Sequence, residues 1–421
     1  MSRLCIFGRA VLSRAVLGSA ALGLGVVGGC APPNLDEGFT VVEHFADASG
    51  EDANAHFVEV MDSADATLRV ALPFFEDPAL ADAFVDALDR GVDGRLVLDI
   101  DQIDDAGVVQ LETLGVTCME AEEALVHRLA GEEPPCILAD DGVDYFDFAN
   151  NVAVVVPSSA IWMTHAFAVA DDVHFVRSSR AGDLAQGVRL SSVGHSEDLG
   201  DDLSREHQQL FGGTDASTLT AFSSSAKSVT DNRWLYPTQS RVSMEMWFGP
   251  QERLIKRIID ATYRARSSVY VLTDDFVDVN LARALDQKGA DGFKMIAVVG
   301  PNFGTTRPEL SRTFLSADNI EKYRISEGVE HVPTMVLVDY TEDQTGSQPM
   351  TQAFVLSHDI AATTRYFGGG SAVEVLEQSD QLMDGNLMVL DDFSHDPLNE
   401  STEIGTIYDI IEDHFAMAEE L

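Results

Sequence analysis

The sequence is poor in cysteine, with four in 421 residues, and poor in positive charge, with 27 basic residues, only five of them lysine, against 70 acidic ones. So few cysteines exclude a disulfide-framework fold, and no CxxC pair, HExxH helix or GxSxG elbow is present to anchor zinc or serine-hydrolase chemistry. With a formal charge of −43 the surface repels polyanions, so nucleic acid and anionic headgroups are poor default partners. The acids are spread along the chain rather than gathered in a tail. That balance fits a protein kept soluble in high salt, where screening weakens self-repulsion, and equally an ordinary acidic protein. Gly300-Pro-Asn-Phe-Gly304 lacks the lysine of a phosphate-binding loop, and Gly368-Gly369-Gly370 has no helix pattern after it, so both read as loops. Asp274, Asp275 and Asp278 read as an acidic surface rather than a site for a hard cation, and no metal or cofactor is expected.

What is present begins with Arg3, Arg9 and Arg14, then an apolar run from Ala15 to Val27 that ends in Val27-Gly28-Gly29-Cys30. Charge followed by a short apolar run and small residues is the pattern of a signal peptide over residues 1–29. The run is short for a spanning helix of about 20 residues. The small residues before Cys30 resemble the lipobox of bacterial lipoproteins, which implies a lipid on Cys30; an ordinary secretory signal stays open as the alternative. Ala31 stands where that resemblance would place an aspartate for inner-membrane retention. The expectation is therefore a chain tied to the bacterial cell envelope, at the outer membrane, through its lipid anchor. The mature chain keeps 24 basic residues against 70 acidic ones over 392 residues, enough for two domains of ordinary size. Cys118 and Cys136 are then a disulfide candidate in an oxidising compartment, although their spacing alone cannot bring them into reach.

Periodicity supplies the architecture. Phe57, Val60, Met61 and Ala64 recur at helical spacing, Leu68 to Phe75 reads as a strand, Leu80 to Leu88 as a helix closed by Gly91, and Arg95 to Ile100 as a second strand. The same order returns about 201 residues later at Ile258–Ala265, Val269–Leu272, Leu281–Leu285 and Lys294–Val299, with Val70 matching Val271, Phe75 matching Phe276 and Ala83 matching Ala284. Such self-similarity implies an internal duplication of a β-α-β unit whose two strands run parallel, within halves that are each a mixed sheet between helices. The expected organisation is a signal over 1–29, an acidic tether over 30–54, a first domain over 55–212, a Ser/Thr/Asp-rich linker over 213–240 and a second domain over 241–421.

The segment Asp65-Ala-Thr-Leu-Arg-Val-Ala-Leu-Pro-Phe-Phe, the helix ending Asp89-Arg-Gly-Val and the strand Leu96-Val-Leu-Asp-Ile-Asp together resemble the opening of a phospholipase D superfamily domain, and Ala265 to Val299 resembles the same opening again. The resemblance implies two α/β/α halves related by a pseudo-twofold, with one HxKxxxxD motif in each half followed by a Gly-Ser and an Asn. It also implies metal-free chemistry on a phosphodiester through a phosphohistidine, with lysines holding the phosphoryl oxygens. The motif residues are largely replaced here. Aligning Asp171 with the motif acid puts Thr164 at the histidine position and Ala166 at the lysine position, with Ser179 as the motif serine and Ala181 for the asparagine. In the second half, Asp339 as the acid puts Val332 and Thr334 at the histidine and lysine positions; Ser357 is kept, Asp359 replaces the asparagine, and Glu374 matches a supporting glutamate.

His165 lies one residue out of frame, and His331 one residue out on the other side. Because side chains alternate across a strand, a one-residue offset turns an imidazole to the opposite face. A frame that pairs His165 with Asp172 also exists, and it places Phe167 where the lysine belongs. Two functional expectations follow. One is a catalytically degenerate envelope protein that binds a partner or ligand, such as a phosphodiester or lipid. The other is an active, divergent phosphodiesterase in which His165 and His331 face one cleft.

Overall fold

The computed structural model describes residues 40–99, 103–130, 134–139, 142–146, 151–155, 161–211, 235–237, 242–249, 254–304, 308–325, 328–340, 351–357, 360, 382–384, 386–392 and 402–421. In the first half the order is β1 (Val41–Ser49), α1 (Gly50–Ser63), β2 (Thr67–Leu72), α2 (Pro78–Asp89), β3 (Asp93–Asp99), α3 (Asp105–Thr113), β4 (Cys118–Met119), α4 (Ala121–Ala130), β5 (Cys136–Ala139), β6 (Gly142–Phe146), β7 (Val152–Val155), β8 (Ile161–Met163), β9 (Phe167–Ala170), β10 (His174–Ser178), β11 (Gln186–His195) and α5 (Glu197–Phe211). The second half continues with β12 (Leu235–Pro237), β13 (Val242–Phe248), α6 (Leu254–Arg264), β14 (Ser268–Thr273), α7 (Val279–Ala290), β15 (Lys294–Val299), α8 (Pro308–Leu315), β16 (Glu321–Arg324), β17 (Thr334–Val338), β18 (Thr351–Leu356), β19 (Leu382–Asp384), β20 (Asn386–Asp392), α9 (Thr402–Met417) and β21 (Glu419–Glu420).

The duplication is visible in the topology. One sheet runs β1-β11-β10-β9-β2-β3-β7, and the other contains β13-β20-β18-β17-β14-β15-β16 in the matching order. β2 and β3 are parallel, as are β14 and β15, and the strands that lead to the motif acids, β9 and β17, lie mid-sheet. Helices α2 and α7 even start alike: Asp77 accepts from the Ala79 N–H and Asp278 from the Leu281 N–H, each satisfying a donor that the first helical turn leaves open. Asp278 is thus a buried cap, and burial pushes its carboxyl up to about 6.

Each sheet buries both faces. Leu68, Val70, Leu72, Leu96 and Leu98 pack outward against α1 and α2, and Val269, Val271, Ala297 and Val299 pack outward against α6 and α7. The inward faces share a third core in which Ala71, Val97, Phe167 and Val169 of one sheet and Leu272, Met335, Leu337 and Val355 of the other meet residues of α5 and α9. Alternation along β9 divides its residues between two cores: Ala166, Ala168 and Ala170 on the outer side, Phe167 and Val169 on the inner.

Two sequence expectations need correction. The tether expected over 30–54 stops short, because Val41–Ser49 is a full strand paired with β11 and Ser49 caps α1 through the Asp52 N–H. β1 stands to β11 as β13 stands to β20, and Val41 and Val242 are again 201 positions apart. The linker expected over 213–240 contains strand β12, whose Leu235–Pro237 pairs with β13. Cys118 and Cys136 are joined by a disulfide that ties β4 to β5.

Candidate functional site

The two motif acids do the same structural work in each half. Asp171 accepts from the Ala66 and Thr67 N–H groups at 2.8 Å and from the Asp65 N–H at 3.0 Å; Asp339 accepts from the Arg266 and Ser267 N–H groups at 2.7 Å. Both residues adopt positive φ, 54° and 62°, a conformation tolerated by aspartate when its short side chain bonds to nearby backbone. Desolvation opposes the Asp171 charge, and the three N–H donors still hold its carboxyl below the usual range. These acids close the turn that leads into β2 and β14.

The motif serines repeat as closely. The Ser179 N–H donates to the Leu190 carbonyl at 3.0 Å while its hydroxyl accepts from the Leu190 N–H at 3.2 Å. Ser357 makes the same pair with Asn386, at 3.0 and 2.9 Å. At the histidine and lysine positions, Ala166 and Val332 are fully buried apolar residues, and Thr334 is bonded to the Thr273 hydroxyl at 3.1 Å. Thr164, half-buried, reaches across the seam to the Ser357 hydroxyl at 3.2 Å.

His165 falls on the inner side of β9, beside Phe167, with its ring centroid 5.8 Å from that ring and 6.2 Å from Phe248. It has no exposed surface; Nε2 lies 3.2 Å from the Glu206 carboxylate of α5, itself 2% exposed, and Nδ1 lies 3.5 Å from the Asn386 amide nitrogen. If the amide donates to Nδ1, the proton sits on Nε2 and points at Glu206. Asn386 also accepts from Arg177 Nε at 2.7 Å, and Arg177 Nη2 donates to the Val355 carbonyl at 2.7 Å. Arg177 is buried, and burial alone pushes its guanidinium down to about 9, so it stays charged at neutral pH. Glu206, His165, Asn386 and Arg177 thus form a polar chain through the seam between the halves.

His331 sits elsewhere, on Asp274: Nδ1 lies 3.3 Å from Oδ2, which also accepts from the Asn302 amide at 2.9 Å. Burial lowers its pKa, and Arg180 and Arg189 of the first half lower it further against the pull of Asp274. Asp275 is occupied with the Phe276 and Gly304 N–H groups, and among the described residues no group of three His, Cys, Asp or Glu side chains is placed to hold a metal. Cys30, Asp359 and Glu374 lie outside the described residues. Sequence reasoning missed Arg177, Glu206 and Asn386. The one local signal was a charged residue inside the apolar strand His174-Phe-Val-Arg-Ser, two positions before the motif serine.

No family model matches this sequence, and no curated protein does. Among solved structures the chain is similar to the phosphatidylserine synthase of Haemophilus influenzae Rd KW20, with 11% identity and a TM-score of 0.54 over 92% of this chain and 90% of that one. It is also similar to the polyphosphate kinase of Porphyromonas gingivalis, with 11% identity and a TM-score of 0.50 over 89% of this chain and 50% of that one, so it spans half the length of the kinase. Nuc from Salmonella typhimurium, a phospholipase D family member, matches at 16% identity over 41% of this chain and 95% of Nuc, with a TM-score of 0.27. At such identity what is shared is architecture, and the chain accordingly has the phospholipase D fold, built as two α/β/α halves.

Proposed function

We propose that this chain is a non-catalytic phospholipase D-fold protein that binds a ligand or partner at the bacterial cell envelope, held there by a lipid on Cys30. The observation that carries the reading is the state of His165: no exposed surface, Nε2 on the Glu206 carboxylate, Nδ1 on the Asn386 amide. A phosphohistidine step needs a ring nitrogen free to reach phosphorus and cations to take up the charge that develops on its oxygens. Here an anion lies beside the imidazole, and the two lysine positions hold Ala166 and Thr334. A phosphoryl group brought to this point would be repelled by Glu206. Supports for the ligand class are the fold itself and the words phosphatidylserine and polyphosphate in the names of the two similar proteins, which make a phosphodiester or lipid the first ligand to try.

His331 favours a second reading, an active divergent phosphodiesterase working through a phosphohistidine. Its imidazole is bonded to a carboxylate, as an activated nucleophile or base would be, and Arg180 and Arg189 supply nearby positive charge. The test is hydrolysis of bis(p-nitrophenyl) phosphate and of phosphatidylcholine vesicles by the chain starting at residue 30, at low and high salt, beside His165→Ala and His331→Ala. No turnover under any condition is expected. Turnover abolished by both substitutions would overturn the non-catalytic reading.

A further inference from the structure

Arg69 of β2 and Arg95 of β3 are register partners on neighbouring parallel strands, in the row just before Ala71 and Val97 on the face that packs against α5. Like charges side by side on one sheet face cost stability, so the fold alone gives no reason for the pair. A single carboxylate serves both: Asp93 lies 2.8 Å from Arg69 Nη2 and 3.5 Å from Arg95 Nε. Arg69 is further held by the Leu68 carbonyl at 3.0 Å and by that of Asp93. The Arg95 guanidinium lies over the Phe211 ring, 5.3 Å from its centroid, and its two terminal nitrogens make no hydrogen bond among the described residues.

These terminal nitrogens belong to a side chain lining a cavity of about 430 Å³, whose far wall is α5 with Arg205, His207, Ser204 and Asp201. Arg205 pairs with Asp202 at 2.9 Å, and the Ser204 hydroxyl donates to Asp172 at 2.6 Å. The lining therefore gathers three guanidinium groups, with Asp172 and Asp201, while the carboxylates paired with them, Asp93 and Asp202, are not part of the lining. His207 adds no charge: its Nε2 lies 3.1 Å from the Val70 carbonyl, and burial followed by the nearby Arg69 pushes its pKa down to about 3. The cavity adjoins Asp172, beyond the C-terminal end of β9, whereas Thr164 and the motif seam lie before its N-terminal end.

We propose that this cavity binds a small hydroxyl-bearing oxyanion, a phosphate or carboxylate, gripped by the free fork of Arg95 with Arg69 and Arg205 beside it. A guanidinium held over an aromatic ring and tied through Nε to Asp93 has less side-chain freedom to lose on binding, and its two terminal nitrogens can give two bonds to one oxyanion. The two carboxylates of the lining accept from ligand hydroxyls. The volume exceeds that of a bare ion and falls in the range of small-molecule pockets.

Isothermal titration and thermal shift of the chain starting at residue 30, in low-chloride buffer, with inorganic phosphate, glycerol 3-phosphate and citrate test the proposal. Saturable binding is expected, weakened about tenfold or more by Arg95→Gln and by Arg205→Gln. Arg205 is 44% exposed, so its variant keeps the test alive if Arg95→Gln fails to fold. Tighter binding of glycerol 3-phosphate than of inorganic phosphate supports a headgroup-like ligand, tighter binding of citrate a carboxylate. No saturable binding of any probe below about 10 mM, or binding that both variants retain in full, would overturn it.

Discussion

Thr164 and Ser357 touch across the seam of the molecule, Oγ1 to Oγ at 3.2 Å, each standing at a motif position of its own half. The contact joins residues 193 positions apart and sets two hydroxyls against each other, Thr164 at the position that the phospholipase D resemblance gives to a histidine and Ser357 at that of the motif serine. Ser357 is simultaneously held by the backbone of Asn386, a bond that Ser179 repeats with Leu190. The motif serines survive here as strand ties.

Serine-to-alanine substitution should therefore cost stability in both halves alike. Ser179→Ala and Ser357→Ala each leave a buried backbone N–H without its acceptor, a loss of about 1–3 kcal/mol. Urea unfolding followed by far-ultraviolet circular dichroism reads this directly. A near-zero change at Ser357 with an undiminished change at Ser179 would separate the second-half serine from the structural role.

The Glu206–His165 pair should behave as a buried unit rather than as a surface ion pair. Removing one partner takes one buried bond from the other, while Glu206 keeps the Gln209 amide at 3.2 Å and His165 keeps the Asn386 amide, so Glu206→Ala or His165→Ala should destabilise by about 1–3 kcal/mol, with the double variant less than additive. A double-mutant cycle by chemical denaturation gives the coupling. Additive losses would mean that the two groups do not act on each other.

Much of this fold was legible in the sequence because the strands are buried on both faces. β2, β3, β14 and β15 read as apolar runs, and the 201-residue offset repeats in Val70 and Val271. β1 was not legible as a strand: Glu43 and Asp47 interrupt it within an acidic stretch, and only its pairing with β11 shows what it is. The offset itself was the missed signal, since Val41 and Val242 obey it. Strand alternation set His165 on the opposite face from the motif frame, and only the packing of Phe167 in the core between the sheets shows that this face is the inner one. The partners of His165 were not legible, because Asn386 is 221 positions away and no local spacing relates residues on opposite halves.

Acid should act through buried neutral histidines. Burial lowers His207 to about 3 and His44 to about 4, with the nearby Arg69 and Arg177 adding to the respective shifts. For a base whose folded pKa lies below its unfolded value of about 6.5, the unfolded chain binds the proton first; the contribution is intact above pH 6.5 and lost as pH falls toward the folded pKa. Asp278 and Asp391, both raised to about 6, work in the opposite direction between pH 6 and the ordinary carboxylate range. Comparing wild type with His207→Gln isolates the histidine. The stability gap between them should shift by on the order of 1–2 kcal/mol between pH 7.5 and pH 5, and a gap independent of pH would contradict the neutral, buried state of His207.

Membrane attachment should hinge on Cys30. A single acyl chain gives only marginal membrane binding and a diacyl anchor gives stable attachment, and no described helix is long and apolar enough to cross a bilayer. Expressed with its first 29 residues in a bacterial host, the protein should partition into detergent and take up labelled palmitate. Cys30→Ser should release it to the aqueous phase with the label lost. The surrounding charge makes the contrast sharp: with 70 acidic residues against 27 basic ones, electrostatic attraction to anionic lipid cannot substitute for the missing chains. Detergent partitioning that survives Cys30→Ser would instead point to the apolar run Ala15–Val27 as a retained anchor, and the lipobox resemblance would then not describe how this chain is processed.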